Sequence, residues 1–557
     1  MKCNSCKSEF TVTQKDLEFL DDAATVIKNK KYKIPPPTLC PDCREKRRLA
    51  QGNQLFLYKR KCDLTGKEMI SNHHPESQYK VYDRYAWFSD DWDPMEYGRK
   101  YDFNRPFFEQ FQELSLKVPR PALQGNYQYD ENSDYTNYAG KNKDCYMIFD
   151  SEHNRDCYYS YSTNKSESCM ECYRIDKCEL CFECIDSHKC YNCYFCQDCD
   201  NCSNSFFLKN CIGCKHCIMC SNLKNKEFYI KNKKVSQDEY KKALEFLKSY
   251  SDLEAAKKMF EEIKLKYPQK YIHGVQNENV TGDYLTNCKN AEICFDSRGL
   301  WDCRYVYQAF NPLKNCMDIQ ECGDAERLYE CAFLGYDAFN SKFSHHMLGN
   351  QSDIEYCTFC PHSSNLFGCI GLRHKQYCIL NKQYTKDEYE DLVPRIIIHM
   401  TQTKEYGEFF PIEMSCFAYN ETMAQWYFPL TKEEAIKQGY GWRDKTDQYA
   451  THDKKTQNPP ETINETKETI IEQILRCKNC DKPYKITKQE YSLLKKLGMP
   501  VPHNCFLCRH LKRPKMRNQR TLYQRECQNC GLKIVTTYSP ARSEKIFCEK
   551  CYTESIE

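Results

Sequence analysis

Between residues 145 and 220 the apolar positions are mostly cysteines, which recur at fixed spacing with polar residues between them. Written in rows of 21, they form columns without gaps: Cys157, Cys178, Cys199 and Cys220; Cys169, Cys190 and Cys211; Cys172, Cys193 and Cys214. A period of about 20 residues is typical of solenoids, in which each coil buries its apolar side against its neighbours. The pattern therefore predicts a β-solenoid with about 21 residues per coil.

The residues around these columns predict short strands joined by tight corners. Cysteines three residues apart, such as Cys190, Cys193 and Cys196, depart from two-residue alternation and indicate strands of two or three residues. Asn and Asp tolerate left-handed backbone conformations and suit the corners; those beside the columns are Asp144, Asp156, Asn192, Asp198, Asn201 and Asn210. Free cysteine packs as a small hydrophobe, so we expect reduced, buried thiols.

The middle of the chain is duplicated. Residues 223–240 match residues 372–389 at an offset of 149. Both segments contain a capping box, which predicts the start of a helix: Ser236 with Glu239, and Thr385 with Glu388. Residues 282–378 keep the nine-residue cysteine spacings of the first copy, but insertions interrupt the longer period. We therefore predict a second, degenerate solenoid copy.

Both ends of the chain carry paired Cys-x2-Cys motifs. Two such pairs are the usual ligand set of one tetrahedral zinc ion. Three sets are present: Cys3, Cys6, Cys40 and Cys43; Cys477, Cys480, Cys505 and Cys508; Cys527, Cys530, Cys548 and Cys551. The sequence therefore predicts three structural Zn²⁺ ions as the cofactors of this protein.

The two ends are also copies of each other. Residues 40–87 align without gaps with residues 505–552 at an offset of 465, so each end contains two small ribbons in tandem. In the N-terminal copy, the four cysteine positions of the second ribbon are occupied by Cys62, Thr65, Asp83 and Ala86. We therefore expect a metal-free ribbon there.

The terminal motifs carry a family resemblance. Cys-x2-Cys, an aromatic residue, Thr and an acidic position, followed by Pro-x2-Cys-x2-Cys-Arg and a basic run, resemble the probable zinc-ribbon (treble-clef-like) family of bacterial proteins. The resemblance covers roughly 35 residues at each end. The whole chain is similar to large uncharacterised Cys-rich zinc-ribbon proteins of candidate-phylum bacteria, and this likeness implies no established activity.

The predicted fold is mainly β with α caps, a duplicated Cys-rich solenoid flanked by tandem zinc ribbons. The predicted units are a zinc ribbon (1–61), a metal-free ribbon (62–90), an aromatic helical cap (91–135), solenoid copy 1 (136–222), a helical segment (223–281), solenoid copy 2 (282–378), a helical and aromatic cap (379–445), a linker (446–470) and two further zinc ribbons (471–526 and 527–557).

Composition narrows the functional classes. The chain has 557 residues, a formal net charge of +3 and 40 cysteines. It has no apolar run of about 18 residues, as a membrane helix needs, and no apolar N-terminal stretch, so we expect a cytoplasmic protein without a membrane partner. In a reducing compartment many cysteines indicate metal ligands and buried thiols. Common phosphate-loop, dinucleotide, zinc-protease and hydrolase motifs are missing, so we expect no enzyme, and the sequence identifies no small-molecule substrate.

A basic run follows the second cysteine pair at each end. The N-terminal run includes Arg44, Lys46, Arg47 and Arg48; the C-terminal run includes Arg509, Lys512, Arg513, Lys515, Arg517 and Arg520, with Tyr523 close by. Guanidinium groups can bind phosphate oxygens, and Tyr523 could stack on a base. The sequence hypothesis is thus a zinc-binding scaffold that binds nucleic acid, RNA or the ribosome, through these residues.

The sequence leaves several alternatives open. Charge runs are often solvated faces, and the chain could instead be a scaffold for other proteins. The central cysteines could serve as a metal or redox buffer, or ligate an iron-sulfur cluster. His345, His346 and His362 lie near two cysteines in sequence and could form a mixed Cys/His metal site.

Overall fold

The computed structural model describes residues 1–125, 129–309, 312–322, 325–326, 329–332, 338–339, 342–343, 351–444 and 459–556. Many of its strands form parallel sheets, and helices accompany them at both ends and between the sheets. The structure is therefore mixed α/β, which corrects the expectation of a mainly β chain. No helix among these residues is both long and apolar enough to cross a membrane.

The N-terminal module comprises residues 1–90. Its helices are Gln14–Asp22, Pro41–Leu49 and Arg84–Phe88, and its strands are Thr25–Ile27, Lys30–Tyr32, Tyr58–Lys61, Glu68–Ser71 and Val81–Tyr82. The strands Tyr58–Lys61 and Glu68–Ser71 form an antiparallel hairpin. The strand Val81–Tyr82 of this module pairs in parallel with Arg120–Pro121. Arg120–Pro121 lies beyond the module and follows the helix Phe107–Lys117.

The first repeat, residues 129–234, is a stack of short parallel strands. They are Asn137–Gly140, Phe149–Glu152, Tyr161–Asn164, Tyr173–Asp176, Ile185–His188, Tyr191–Tyr194, Ser203–Lys209, Lys215–Ser221 and Glu227–Ile230, followed by Lys233–Lys234. Asn137 pairs with Phe149, Phe149 with Tyr161, and Tyr161 with Tyr173. Each step of this register spans 12 residues, as does the bond from the backbone N–H of Glu152 to the side chain of Asn164. The longer period predicted from the cysteine columns is therefore wrong.

The repeat is built on a unit of three residues. Along it, backbone φ is positive at nearly every third residue, which places a corner there. The predicted corner residues Asp144, Asp156 and Asn192 have φ values of 53°, 51° and 50°. The residue after each corner points inward and is usually Cys, Ser, Ile or Leu. Four of these three-residue units make up the 12 residues of one step of the strand register. Because 21 is also a multiple of three, rows of that length aligned the cysteines without matching the strands.

The second repeat, residues 274–383, follows the same plan less regularly. Its strands are Gly274–Val275, Gly282–Thr286, Cys294–Arg298, Leu300–Trp301, Tyr307–Ala309, Leu313–Lys314, Gln320–Cys322, Ala325–Glu326, Ala338–Phe339, Gln351–Glu355, Ser364–Phe367, Gln376–Ile379 and Lys382–Gln383. Bonded positions in neighbouring coils are mostly 12 or 13 residues apart, as in Ser363 with Lys375 and Lys342 with Glu355. These one-residue insertions explain why the sequence period is irregular here.

Both repeats end in the same way, which confirms the duplication of the middle of the chain. Each closes with a small antiparallel hairpin, in which Tyr229 pairs with Lys234 in the first copy and Cys378 with Gln383 in the second. Each hairpin leads into a helix with a complete capping box, as the sequence predicted. The helix is Gln237–Ala243 after the first repeat and Lys386–Gln402 after the second. A further helix, Tyr250–Lys264, follows Gln237–Ala243.

The C-terminal module comprises residues 471–556. Before it lie the short helices Ala424–Tyr427 and Lys432–Lys437. Its strands are Leu475–Arg476, Pro483–Tyr484, Tyr523–Glu526, Lys533–Thr536 and Ile546–Phe547, and its helices are Lys488–Leu497, Phe506–His510, Lys512–Lys515 and Glu549–Ile556. The strand Ile546–Phe547 pairs in parallel with Gln269–Lys270, so this module is joined to the segment between the repeats.

The segment predicted as a linker is partly packed. Residues 445–458 lie outside the described residues. Further on, Glu461 accepts hydrogen bonds from the backbone N–H and side chain of Ser251, and the carbonyl of Thr466 accepts one from Tyr491. Residues 459–470 therefore contact both the Tyr250–Lys264 helix and the C-terminal module.

Candidate metal centres and the buried basic segments

Three groups of four cysteines could each hold a metal ion. They are the three sets that the sequence predicts: Cys3, Cys6, Cys40 and Cys43; Cys477, Cys480, Cys505 and Cys508; Cys527, Cys530, Cys548 and Cys551. Within each group all four sulfurs lie within 4.8 Å of one another. No other such group of His, Cys, Asp or Glu occurs among the described residues.

The backbone brings each group together in the same way. The first pair lies on a tight turn, and the second pair begins a helix, as Cys40 does for Pro41–Leu49 and Cys505 for Phe506–His510. The backbone N–H of Cys40 donates to the sulfur of Cys3 at 3.3 Å. Such N–H groups stabilise a thiolate, which is the form that binds metal. The ligand spacing in the sequence thus encodes the local geometry.

The third group shows the electrostatic effect of these donors. Burial alone would raise the pKa of Cys527, but backbone N–H groups of Cys548 and Cys530 lower it to about 6. The N–H of Cys548 lies 3.2 Å from the sulfur of Cys527. A thiol with this pKa is largely a thiolate at neutral pH, so the sulfur of Cys527 is suited to binding a cation.

The distances between sulfurs fit tetrahedral coordination. One pair of sulfurs in each group is Cys6 with Cys40 at 3.7 Å, Cys480 with Cys505 at 3.7 Å, and Cys530 with Cys548 at 3.8 Å. Zinc bound to four thiolates at about 2.3 Å places neighbouring sulfurs about 3.8 Å apart. The residues present therefore fit a closed four-thiolate metal site of the structural kind.

The second N-terminal ribbon retains one of the four ligands. Cys62 still accepts backbone N–H groups from Thr65 at 3.4 Å and Asp83 at 3.2 Å, the arrangement seen at Cys527. The other three positions are Thr65, Asp83 and Ala86, and the side chain of Asp83 instead caps the short helix that begins at Arg84. The turn thus keeps the form of a metal knuckle with a single cysteine.

The arginines of the C-terminal basic run are buried against acids of the two repeats. Arg509 and Arg513 pair with Glu171 at 3.1 and 2.5 Å. Arg517 pairs with Asp186 of the first repeat and Asp296 of the second, at 2.7 and 2.5 Å. Arg520 pairs with Asp296 and with Glu45 of the N-terminal module. Each of these four side chains is 10% exposed or less.

The N-terminal run repeats this arrangement on the second repeat. Arg44 and Arg48 pair with Asp318 at 2.8 and 3.3 Å, and Arg47 pairs with Glu330 at 2.6 Å. All three guanidinium groups are buried. The pairs are equivalent in the two modules, because Arg44 and Arg48 align with the arginines that contact Glu171. Through these pairs the N-terminal module docks on the second repeat, and the C-terminal module docks on acids of both repeats.

Most of the residues predicted to contact nucleic acid are therefore buried inside the protein. Seven of the predicted residues pair with the protein's own carboxylates, and their side chains are 10% exposed or less: the arginines at 44, 47, 48, 509, 513, 517 and 520. The others differ: Lys512 and Lys515 are exposed, whereas Lys46 and Tyr523 are half-buried. Lys46 donates to Gln438.

Sequence reasoning missed the acidic partners. Glu171, Asp186, Asp296, Asp318 and Glu330 all occupy corners with positive φ, one residue before an inward position. Asp144 occupies a similar corner but accepts a hydrogen bond from Asn132 within its own stack. The sequence marks these acids only by their corner position in the three-residue unit. That position does not distinguish a solvated corner from a buried one.

The cysteines of the repeats form the cores of the stacks. All sixteen between Cys145 and Cys220 are free and buried. Their S–H groups donate to backbone carbonyls, as Cys193 does to Cys202 at 3.4 Å. Burial raises the pKa of Cys193 well above its usual range. Of the proposed mixed site, His345 and His346 lie outside the described residues, and His362 stacks on His374 with ring centroids 4.9 Å apart.

Comparison with known proteins adds no assignment. No protein-family model matches the chain, and no curated protein is significantly similar to it. The resemblance of the ends to zinc ribbons therefore rests on the cysteine motifs and on the three four-cysteine clusters.

Proposed function

We propose that this chain is a non-enzymatic scaffold, stabilised by three structural zinc ions. In this proposal both repeats are β-solenoids whose coils have four three-residue sides, and the terminal modules are zinc ribbons that clamp them. The scaffold acts by presenting its outer surface to a macromolecular partner. The burial of the terminal arginines carries the proposal, because it makes the modules part of one body.

Buried ion pairs are suited to fixing one arrangement. Removing a charge from water is costly, and only a well-placed partner offsets this cost. Here seven guanidinium groups from the two modules find such partners at corners of the repeats. A displaced module would leave several unpaired charges inside the protein, so alternative arrangements are disfavoured.

The rival functions have less support. A metal or redox buffer requires accessible thiolates, whereas the thiols of the first repeat are buried. Nucleic-acid binding through the terminal basic runs would depend on Lys512 and Lys515, with smaller contributions from Lys46 and Tyr523, because the arginines are occupied. A partner contacting the outer surface of the scaffold, whether protein or nucleic acid, requires no rearrangement of these pairs.

Metal analysis combined with native alkylation tests this function. Protein purified under reducing conditions should contain three zinc ions per chain, and the repeat cysteines should react slowly with iodoacetamide until the protein is unfolded. Additional metal in proportion to the central cysteines, or rapid native modification of most of them, would favour the buffer. Zinc removal by a chelator should expose the twelve ligand cysteines first.

A further inference from the structure

The hairpin and helix that close each repeat provide an internal comparison. We call residues 223–242 the first cap and residues 372–391 the second cap; each consists of a duplicated segment, 223–240 or 372–389, and the next two residues of its helix. Their hairpin turns are the same, with positive φ at Lys231 and Asn232 in one and at Leu380 and Asn381 in the other. Differences in charge and covering between the caps therefore do not follow from a difference in fold.

The caps differ in charge. The first cap has seven lysines and three acids, a formal charge of +4, whereas the second has four cations and four acids, a formal charge of zero. The matched parts, 223–240 and 372–389, both carry +2, so the difference comes from Lys241 and Lys242 in the first cap and Glu390 and Asp391 in the second. The lysines are Lys224, Lys226, Lys231, Lys233, Lys234, Lys241 and Lys242, and all are exposed. Within the described part of the chain, none of these lysines forms an ion pair with a carboxylate.

The caps also differ in what covers them. Residues 88–99 lie across the second cap, where Asn381 donates to the carbonyl of Pro94 at 3.0 Å and Arg373 to that of Phe88 at 2.6 Å. Leu380, at the tip of that turn, is fully buried. At the tip of the first turn stands the exposed Lys231. As far as the described residues go, no distant segment bonds to this tip.

The composition of the first cap distinguishes between classes of partner. Protein interfaces usually have an apolar centre and are depleted in lysine. Among the described residues, the exposed large apolar side chains all lie outside the first cap. The cap does have two half-buried rings, Phe228 and Tyr229, with the ammonium group of Lys234 5.7 and 5.6 Å from their centroids. Lysines beside aromatic rings are typical of surfaces that follow a single-stranded nucleic-acid backbone.

We propose that the first cap binds the phosphate backbone of single-stranded RNA. The inference rests on the proposed function in taking the chain as a rigid scaffold, and it names the class of partner. Exposed ammonium groups neutralise phosphates and release counterions, so the binding is sensitive to salt and tolerant of sequence. The equivalent cap of the second repeat does not bind, because it is neutral and already covered.

The test uses the full-length protein and a fluorescein-labelled poly(U) of about 20 nucleotides, longer than a typical single-strand site. Anisotropy is measured over a series of salt concentrations for the wild type and for a first-cap variant with Lys226→Gln, Lys231→Gln and Lys233→Gln. Removing three phosphate contacts should weaken binding at least about tenfold at low salt and reduce the slope of log K against log salt by about 2.

Two matched variants locate the site. Lys375→Gln with Lys382→Gln and Lys386→Gln removes three charges from the second cap, and Lys512→Gln with Lys515→Gln removes the exposed charges of the C-terminal run; both should bind RNA like the wild type. The proposal is overturned if the first-cap variant binds normally, or if either matched variant loses as much affinity.

Further measurements separate this proposal from that of the scaffold. All variants should retain three zinc ions and the thermal stability of the wild type, which shows that a loss of binding is not a loss of fold. Stronger binding to polyglutamate, or to vesicles containing phosphatidylserine, than to RNA would overturn the assignment of the partner and leave the scaffold in place. A zinc content other than three contradicts the scaffold and not the RNA site.

Discussion

The second ribbons of the two modules share a fold and differ in what stabilises it. The hairpin near the N-terminus pairs Tyr58 with Ser71, and its C-terminal equivalent pairs Tyr523 with Thr536 in the same register. Both keep a side-chain bond to a segment outside the ribbon, since Ser71 donates to the carbonyl of Ala122 and Thr536 to that of Tyr271. Of these two described ribbons, only the C-terminal copy has a four-cysteine cluster.

The surroundings of the two ribbons explain this difference. The N-terminal ribbon contributes Met69, Val81, Tyr82 and Trp87 to the largest apolar core of the protein. The C-terminal ribbon forms a separate small core made of Cys527, Ile534, Tyr538, Ile546, Cys548 and Cys551. Small units that cannot bury enough apolar surface depend on metals or disulfides. The four-cysteine cluster is thus missing from the ribbon that packs on a large neighbouring core and present in the ribbon that does not.

The largest expected effect is from removing a ligand of the C-terminal ribbon. Cys548→Ser should lower the zinc content by one ion per chain and unfold residues 527–556, since a structural zinc site contributes on the order of 10 kcal/mol. Metal analysis and hydrogen exchange measure both effects. The matched change Cys62→Ser should leave the zinc content at three and cost less than about 2 kcal/mol; a loss of zinc on this change would show that the N-terminal ribbon binds metal.

The N-terminal ribbon should depend instead on its packing. Trp87 is fully buried, and its indole N–H donates to the carbonyl of Pro119 at 3.0 Å. Trp87→Ala should therefore lower the free energy of unfolding by about 4 kcal/mol, as for other large-to-small core changes. Chemical denaturation measures the loss. Tyr85→Ala, at an exposed position on the same short helix, is the control and should change stability by less than about 0.5 kcal/mol.

The docking of the two modules should be equally sensitive to loss of a buried arginine. Arg513→Ala leaves Glu171 with one fewer partner, and Arg48→Ala does the same to Asp318, so each should cost about 3 kcal/mol. Denaturation curves and limited proteolysis compare the variants. Lys512→Ala removes an exposed charge from the same segment and should have almost no effect. If Arg513→Ala behaved like this control, the docked arrangement would be in doubt.

The smallest effect near neutral pH is expected from the titration of Asp296, which joins the C-terminal module to the second repeat. Burial raises its pKa, but Arg174, Arg517 and Arg520 lower it far below the ordinary value of 3.8. The folded protein therefore gains stability from the ionised group above pH 4 and should lose it as the pH falls below 4. Unfolding curves between pH 5 and 2 should show this decline. Asp296→Asn should lower stability at pH 7 and flatten the decline.

The sequence by itself determined the local features of this protein. Paired Cys-x2-Cys motifs predict a four-cysteine cluster because two side chains three residues apart on a tight turn converge on one point, and all three clusters occur where the spacing placed them. The two duplications are visible by matching one segment of the sequence with another, and the capping boxes at Ser236 and Thr385 depend on residues three apart in the chain. The structure confirms both.

Only the tertiary structure decided the period of the repeats and the role of the basic runs. Inward positions occur every third residue, so any multiple of three aligns the cysteines, and only the hydrogen bonds between strands select 12. An arginine is solvated or buried according to whether a carboxylate meets it, and Arg513 meets one 342 residues away in Glu171. Composition and spacing do not indicate such distant ion pairs, because the contribution of a pair to stability depends on its burial, which the whole fold determines.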